Sequence, residues 1–239
     1  MTALTAIFYV STAIFLAGMG WRLFTWLRTP VPLKIVLTPG PVTTGGVFRR
    51  LAGEALLFRS LYRSDRGLWL AAWSFHVSVV LLATGHVAGL VIPGFVQALF
   101  GLTGAEFHRW AQVTGGAFGI LAAGSLIYLL LRRVAAERVR YLSTYSDYFA
   151  LGLLLMLVGS GNHMRFLGGL ELEQAREFVS GLLRFQPAPA PDDPTFAAHL
   201  LLVCALLVYL PFSKLVHLGG LVLSPPLNQR NNPREKRYA

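Results

Sequence analysis

The sequence predicts an all-α integral membrane protein, a bundle of five transmembrane helices with its N-terminus outside and its C-terminus in the cytoplasm. Three observations predict it. Hydrophobic residues make up 54% of the 239 residues and charged residues only 13%, against about 25% charge in an ordinary soluble domain; mean hydropathy is +0.56. The apolar residues fall in runs long enough for a helix to cross a bilayer, which takes about 20 residues. The formal charge of +10 lies in short clusters between those runs. That is the distribution of topology signals, not the basic stripe of a nucleic-acid-binding face. The hydrophobicity excludes disorder. The single cysteine, Cys204, permits no internal disulfide and no CxxC metal motif, so any electron carrier must be held by other ligands.

The first span covers 3–27, with no charge before Arg22 and with Trp21 and Trp26 as interface anchors. A cleaved signal peptide would place its basic residues before the apolar run, so this span is expected to be retained. The second covers 68–91, the third 110–131, the fourth 148–167 and the fifth 196–218. One membrane domain, 1–239, accounts for the chain, with a basic loop over 28–67 and a basic tail over 219–239. Orientation follows from the loops. Arg28, Lys34, Arg49, Arg50, Arg59, Arg63 and Arg66 lie between spans one and two. Arg132, Arg133, Arg138 and Arg140 lie between three and four, and Arg230, Arg234, Lys236 and Arg237 follow span five. On the opposite side Arg109, Arg165, Arg176 and Arg184 are diluted by six acidic residues. The positive-inside rule puts the richer side in the cytoplasm. In the first loop, Pro39-Gly40-Pro41 and Gly45-Gly46 break the chain. Residues 47–62 suggest a surface helix of weak amphipathicity, because apolar and basic residues intermingle there. The outer loop ends in a stiff run from Pro187 to Pro191.

The chemistry-bearing residues are histidines. Of six, His76 and His86 lie in span two and His199 and His217 in span five. Ionisable groups at membrane depth are costly and usually paired or ligating. A lone histidine there is commonly neutral and hydrogen-bonded to a neighbouring helix. Two histidines on each of two spans instead suit two bis-histidine haem sites. Span two runs outward and span five inward, so depth pairs His86 with His199 near the outside and His76 with His217 near the cytoplasm. Ten residues separate the first two, roughly 15 Å along a helix, and eighteen the second two, roughly 27 Å. Eighteen residues are five whole turns, so His199 and His217 are expected to share one face of their helix, while His76 and His86 differ by about 80°. The mismatch must be absorbed by tilt, by different imidazole reach, or by a kink, which Pro211 can supply. Gly85, Gly115, Gly116 and Gly119 offer close approach, to a porphyrin or equally to a packed helix.

These residues resemble those of the nitrate reductase gamma subunit family. The resemblance rests on Ser74-Phe-His76 followed by Gly85-His86, and on His199 followed by Leu210-Pro-Phe-Ser-Lys-Leu-Val-His217. Gly115-Gly-Ala-Phe-Gly119 and the Arg132-Arg133…Arg138-Val-Arg140 loop add to it. It covers about 69–218. It implies a cytochrome b with two haem b groups, an outer one on His86 and His199 and an inner one on His76 and His217. It also implies electron exchange between membrane quinone and a cytoplasmic iron–sulfur subunit, with further membrane and periplasmic subunits. The longer first loop and the tail from Leu223 depart from nitrate reductase gamma subunits. The tail is similar to the cytochrome b subunit of the membrane complex linked to dissimilatory sulfite reductase, within the same family. That implies a sulfur-metabolism complex with a heterodisulfide reductase-like iron–sulfur partner; a nitrate reductase beta-like partner is the alternative.

Within that reading the remaining polar residues take roles. His108 and Arg109, at the outer start of span three, are candidates to polarise a quinone carbonyl, with Glu106 or His108 carrying the proton; an interfacial charge cluster is the plainer alternative. Ser74, Ser78, Thr84 and Ser213 are candidate partners for the second imidazole nitrogens. Lys214 is a candidate contact for a haem propionate or a partner protein, and His163 an interfacial histidine. A haem-free proton-relay transporter would favour discontinuous helices or an inverted repeat, and neither is visible in the sequence. A cytochrome of the b561 type would distribute its histidines differently over four spans.

Overall fold

The computed structural model describes residues 2–30, 40–168, 171–223 and 225–231. The predicted first-loop features at Lys34 and Leu37 to Pro39, and the tail cations Arg234, Lys236 and Arg237, lie outside these. In chain order the described residues form α1 (Ala3–Arg28), α2 (Thr44–Leu57), α3 (Arg59–Ser64), α4 (Arg66–His86), α5 (Pro93–Phe100), α6 (Gly104–Ala135), α7 (Glu137–Tyr141), α8 (Tyr145–Phe166), α9 (Leu172–Leu183), α10 (Pro194–Tyr209), α11 (His217–Leu223) and α12 (Pro225–Asn228). No strand occurs among them.

Four stretches are long and apolar enough to cross a membrane: Ala3–Arg28, Arg66–Val91, Gly104–Ala135 and Pro194–Phe212. These coincide with the expected first, second, third and fifth spans. Their outward side chains, such as Val10, Leu16, Val80, Ile120 and Leu201, are apolar and exposed, which suits hydrocarbon. The chain is a multi-pass membrane protein. The expected fourth span, α8, is 22 residues long. It falls outside this group because its last two turns carry Ser160, Asn162, His163 and Arg165.

Contacts divide the chain into two compact units. One comprises Met1–Ala13 and Ala71–Leu207, the other Ile14–Leu70 and Val208–Ala239.

In the first unit, α6 and α8 form a helical hairpin. Thr103 and Thr144 open the two helices with capping boxes, closed by Glu106 and Asp147, which satisfy amide donors that no helical carbonyl reaches. At one end Arg133 lies 3.6 Å from Asp147 and donates to Ser143 Oγ at 2.8 Å, while the Tyr148 hydroxyl donates to the Arg133 carbonyl at 3.3 Å. One turn in from the far end, Asn162 Nδ2 donates to the Gly119 carbonyl at 3.0 Å. At the far end Arg165 Nη1 donates to the carbonyls of Ala111 and Gln112 at 3.1 and 3.3 Å. The conspicuous glycines of α6 are therefore seats for α8: Arg165 covers Gly115, Phe166 covers Gly116 and Asn162 covers Gly119. Of the two uses expected for them, helix packing is the one realised.

The outer loops are more structured than expected. Beyond His86 the helix continues as one π-turn, Val87–Val91, and α5 follows. The segment anticipated only as a loop holds α9. Its Ala175, Phe178 and Leu182 repeat at helical spacing and pack with Phe196 and Leu200 of α10 into the unit's main core cluster, flanked by Leu4, Phe8 and Met164. Phe178 is wholly buried. Arg176 Nε ties α9 to the π-turn by donating to the Gly89 carbonyl at 3.0 Å.

In the second unit, the expected 47–62 helix is two. Phe58 adopts φ 49°, a left-handed conformation that breaks α2 from α3. Val47 is buried while Phe48 and Leu56 are exposed, so apolar side chains occur on both faces of α2. The fifth predicted span is also interrupted. After Tyr209 the chain makes two 3₁₀ turns, Leu210–Phe212 and Lys214–Val216, with Ser213 extended between them at φ −106°, ψ 172°. The expected continuous helix to 218, and with it the five-turn argument placing His199 and His217 on one face, does not hold. Pro211 has no amide hydrogen to donate, and Ser213 starts a new turn: its hydroxyl donates to the Leu210 carbonyl at 2.9 Å and accepts from the Leu215 amide at 3.2 Å. The break frees the Pro211 carbonyl, which Arg22 of α1 satisfies through Nη1, while Gly18 gives Pro211 room to approach. This accounts for a cation at Arg22 within a span. The discontinuity, sharper than the kink expected at Pro211, is thus satisfied internally.

Candidate haem-binding site

His86 closes α4 and His199 lies in the second turn of α10, both in the first unit. Their rings come together with centroids 6.4 Å apart and planes inclined by 8°. Metal–imidazole bonds are about 2.0–2.1 Å, and a ring nitrogen lies about 1.15 Å from its centroid, so two imidazoles bonded from opposite sides of one ion have centroids about 6.3–6.5 Å apart. The observed separation fits that arrangement. Among the described residues no three His, Cys, Asp or Glu side chains gather into a metal site. A porphyrin brings four nitrogen donors of its own, so two imidazoles complete its iron. The donor set fits haem.

The hydrogen bonds set the tautomers. His86 Nδ1 lies 2.7 Å from the Leu82 carbonyl and His76 Nδ1 2.7 Å from the Ala72 carbonyl. His217 Nδ1 is 3.2 Å from the Lys214 carbonyl. A carbonyl only accepts, so in each ring the proton is on Nδ1 and the lone pair on Nε2. His199 Nδ1 is 2.9 Å from Ser160 Oγ on α8. The Ser160 hydroxyl donates to the Leu157 carbonyl at 2.9 Å, so its oxygen accepts from His199 and again leaves the lone pair on Nε2. This is the common pattern of ligating histidines, one nitrogen to the metal and the other to an oxygen acceptor. His108 differs. Its Nε2 accepts from the Gln112 side-chain amide at 2.9 Å, which occupies that lone pair and leaves the hydrogen on Nδ1.

Residues 59–229 match the family of the nitrate reductase gamma subunit. The chain belongs to that family. Among its relatives, the Hdr-like menaquinol oxidoreductase cytochrome b-like subunit of Archaeoglobus fulgidus is 33% identical, over 96% of this chain and 80% of its own length. The nitrate reductase gamma chain of Bacillus subtilis is 32% identical over 64% of this chain and 74% of its own. The respiratory nitrate reductase 1 gamma chain of Escherichia coli is 26% identical over 88% and 86%.

In this gamma-subunit-family chain, the structure brings together the expected outer pair, His86 and His199. His76 and His217 belong to different units, and each is oriented by its own backbone as above. The hydroxyls expected to orient the imidazoles do otherwise. Thr84 donates to the carbonyls of Val80 and Leu81, and Ser213 serves the turn before His217. Ser74 is buried, and Ser78 Oγ is buried without a hydrogen-bond partner. Backbone carbonyls take their place because an imidazole on a helix reaches the carbonyl one turn back. Ser160 was missed; its serine-glycine step on α8 carries no sequence signal pointing to His199. The Glu106 carboxylate accepts from the Thr103 amide and hydroxyl, both at 2.8 Å, so it is a helix cap rather than a ready proton carrier. His108 and Arg109 are exposed at the same helix start. His163 Nδ1 stands 3.4 Å from Thr195 Oγ1, at the ends of α8 and α10.

Proposed function

We propose that the chain is the dihaem cytochrome b subunit of a membrane quinol-linked electron-transfer complex. The observation that carries this is the His86–His199 pair, with ring centroids 6.4 Å apart, nearly parallel planes and each lone pair on Nε2, a pair that would hold haem iron. His86 and His199 would hold the outer haem. The inner haem on His76 and His217 is carried by the family resemblance, with each histidine holding Nδ1 on a backbone carbonyl. Bound there, haem iron would supply one-electron transfer across the membrane, which the aromatic and aliphatic side chains of the spans cannot. The protein would contribute the histidine ligands, their orientation through Nδ1 and exclusion of water.

The hairpin supports five spans with α8 as the fourth, since contacts near both ends tie α8 along α6. With the loop arginines inside, the N-terminus is outside and the C-terminus cytoplasmic. At the outer start of α6, His108 presents an Nδ1–H donor and Arg109 a guanidinium, together suited to a quinone carbonyl. The partner is a cytoplasmic iron–sulfur subunit. The Hdr-like menaquinol oxidoreductase relative is 33% identical over 96% of the chain, against 32% over 64% for the Bacillus and 26% over 88% for the Escherichia coli nitrate reductase gamma chain. Its higher identity over a longer span supports a complex of the Hdr-like kind, which we place in sulfur metabolism, over a respiratory nitrate reductase.

The test is a reduced-minus-oxidised spectrum of the purified chain with pyridine haemochrome quantitation. Two b haems per chain are expected. A folded preparation without haem overturns the proposal.

A further inference from the structure

We infer that Ser160, on the otherwise ligand-free helix α8, is the positioning residue for His199 and sets the donor strength of that imidazole toward the outer haem. The inference rests on the dihaem reading. His76, His86 and His217 direct Nδ1 to a carbonyl three or four residues back in their own segment. His199 instead directs it to a side chain 39 residues away in sequence. Three features of α8 define the ring's place: Ser160, Gly161 and the Leu157 carbonyl, which also hydrogen-bonds the His199 imidazole. Ser160 Oγ accepts the Nδ1 proton. Beside it, Gly161 leaves the ring its space: a Cβ there would stand 3.4 Å from Cε1 and 3.8 Å from Nδ1, already at van der Waals contact.

The Ser160 hydroxyl is itself committed. It donates to the Leu157 carbonyl, and a hydroxyl polarised by donating is a stronger acceptor. Its proton therefore points away from His199, and the histidine cannot adopt the opposite tautomer without leaving an N–H or a lone pair unsatisfied. An acceptor on Nδ1 raises the basicity of Nε2, which favours the oxidised over the reduced metal. The α6–α8 pins at Asn162 and Arg165 hold Ser160 at this height. The ligand's electronic character is thus set from a neighbouring helix, not from the ligand's own.

The experiment compares wild type, Ser160→Ala and Ser160→Thr in the full-length chain purified from membranes. Haem per chain, a redox titration and low-temperature electron paramagnetic resonance of the oxidised protein are measured. The outer haem is identified as the titration wave that His86→Ala removes. Ser160→Ala keeps two haems but moves the reduced-to-oxidised equilibrium constant of the outer haem about three- to tenfold toward the reduced form. Its resonance changes while that of the inner haem does not. Ser160→Thr, which keeps the hydroxyl, retains wild-type values. If both haems in Ser160→Ala titrate as in wild type with unchanged resonances, the role of Ser160 is overturned and the dihaem reading stands. Equal shifts in both haems, or a Ser160→Thr shift as large as that of Ser160→Ala, also overturn it by showing general loosening. Absence of haem in the wild-type chain overturns the dihaem reading itself.

Discussion

The α6–α8 hairpin carries Ser160 and Gly161 to His199, and its Asn162 pin can be tested by a double-mutant cycle at Gly119 and Asn162. Asn162 donates to the Gly119 carbonyl at 3.0 Å, and a Cβ on residue 119 would overlap the Asn162 amide oxygen. Side-chain hydrogen bonds between membrane helices average about 0.6 and reach about 1.7 kcal/mol. Asn162→Ala is therefore expected to cost about 1–2 kcal/mol, including some lost packing. Gly119→Ala in the wild-type background forces the amide to rotate out of its bond. That loss is offset by the roughly 1 kcal/mol by which alanine outranks glycine in a helix, so the net change is small. With Asn162 already alanine, the methyl enters vacated space and only the helical gain remains. The double variant should then be more stable than Asn162→Ala alone, with a coupling of about 1–2 kcal/mol. Equilibrium unfolding in mixed micelles, followed by tryptophan fluorescence, measures all four corners. Additivity within about 0.5 kcal/mol, the usual result for independent sites, would refute the pin. Haem content should fall in step with stability, since the same helix orients His199.

Three further outcomes are expected. His86→Ala removes one haem of two and abolishes quinol-dependent reduction while the inner haem remains; retention of both haems, by haemochrome assay, would show the pairing to be wrong. His108→Ala leaves haem content unchanged and slows quinol oxidation by on the order of 10²-fold, the usual scale of a positioned proton donor; an unchanged steady-state rate returns His108 to the role of an interface residue. Arg22→Leu leaves the Pro211 carbonyl without its donor and should destabilise the chain by about 1–3 kcal/mol, seen as a lower midpoint in detergent unfolding; an unchanged midpoint would mean that the broken helix is held by packing alone.

The helical class and the long apolar helices were legible in the sequence because the bilayer demands long uninterrupted apolar runs, and such runs are local. Arg66–Val91 and Gly104–Ala135 lie within a few residues of expectation. The histidines were legible for the same reason, since an imidazole is conspicuous among aliphatic side chains. Helix α9 was legible in principle, from Ala175, Phe178 and Leu182 at helical spacing, but the flanking charges and the proline run drew it toward a loop. The break after Tyr209 was half legible: Pro211 announced a kink, whereas the extended Ser213 that completes the break depends on a turn the sequence does not advertise.

What the sequence by itself determined is the medium this chain occupies, the order of its long apolar helices and the positions of its histidines. Hydropathy and residue chemistry are properties of short segments. Only the tertiary structure decided which side chains serve those residues. Ser160 reaches His199, Arg165 and Asn162 fill the glycine notches of α6, and Arg22 answers the Pro211 carbonyl, because each pairing joins positions 39 to 189 residues apart. At such separations no local pattern records a hydrogen bond; it exists only once packing has brought donor and acceptor to about 3 Å.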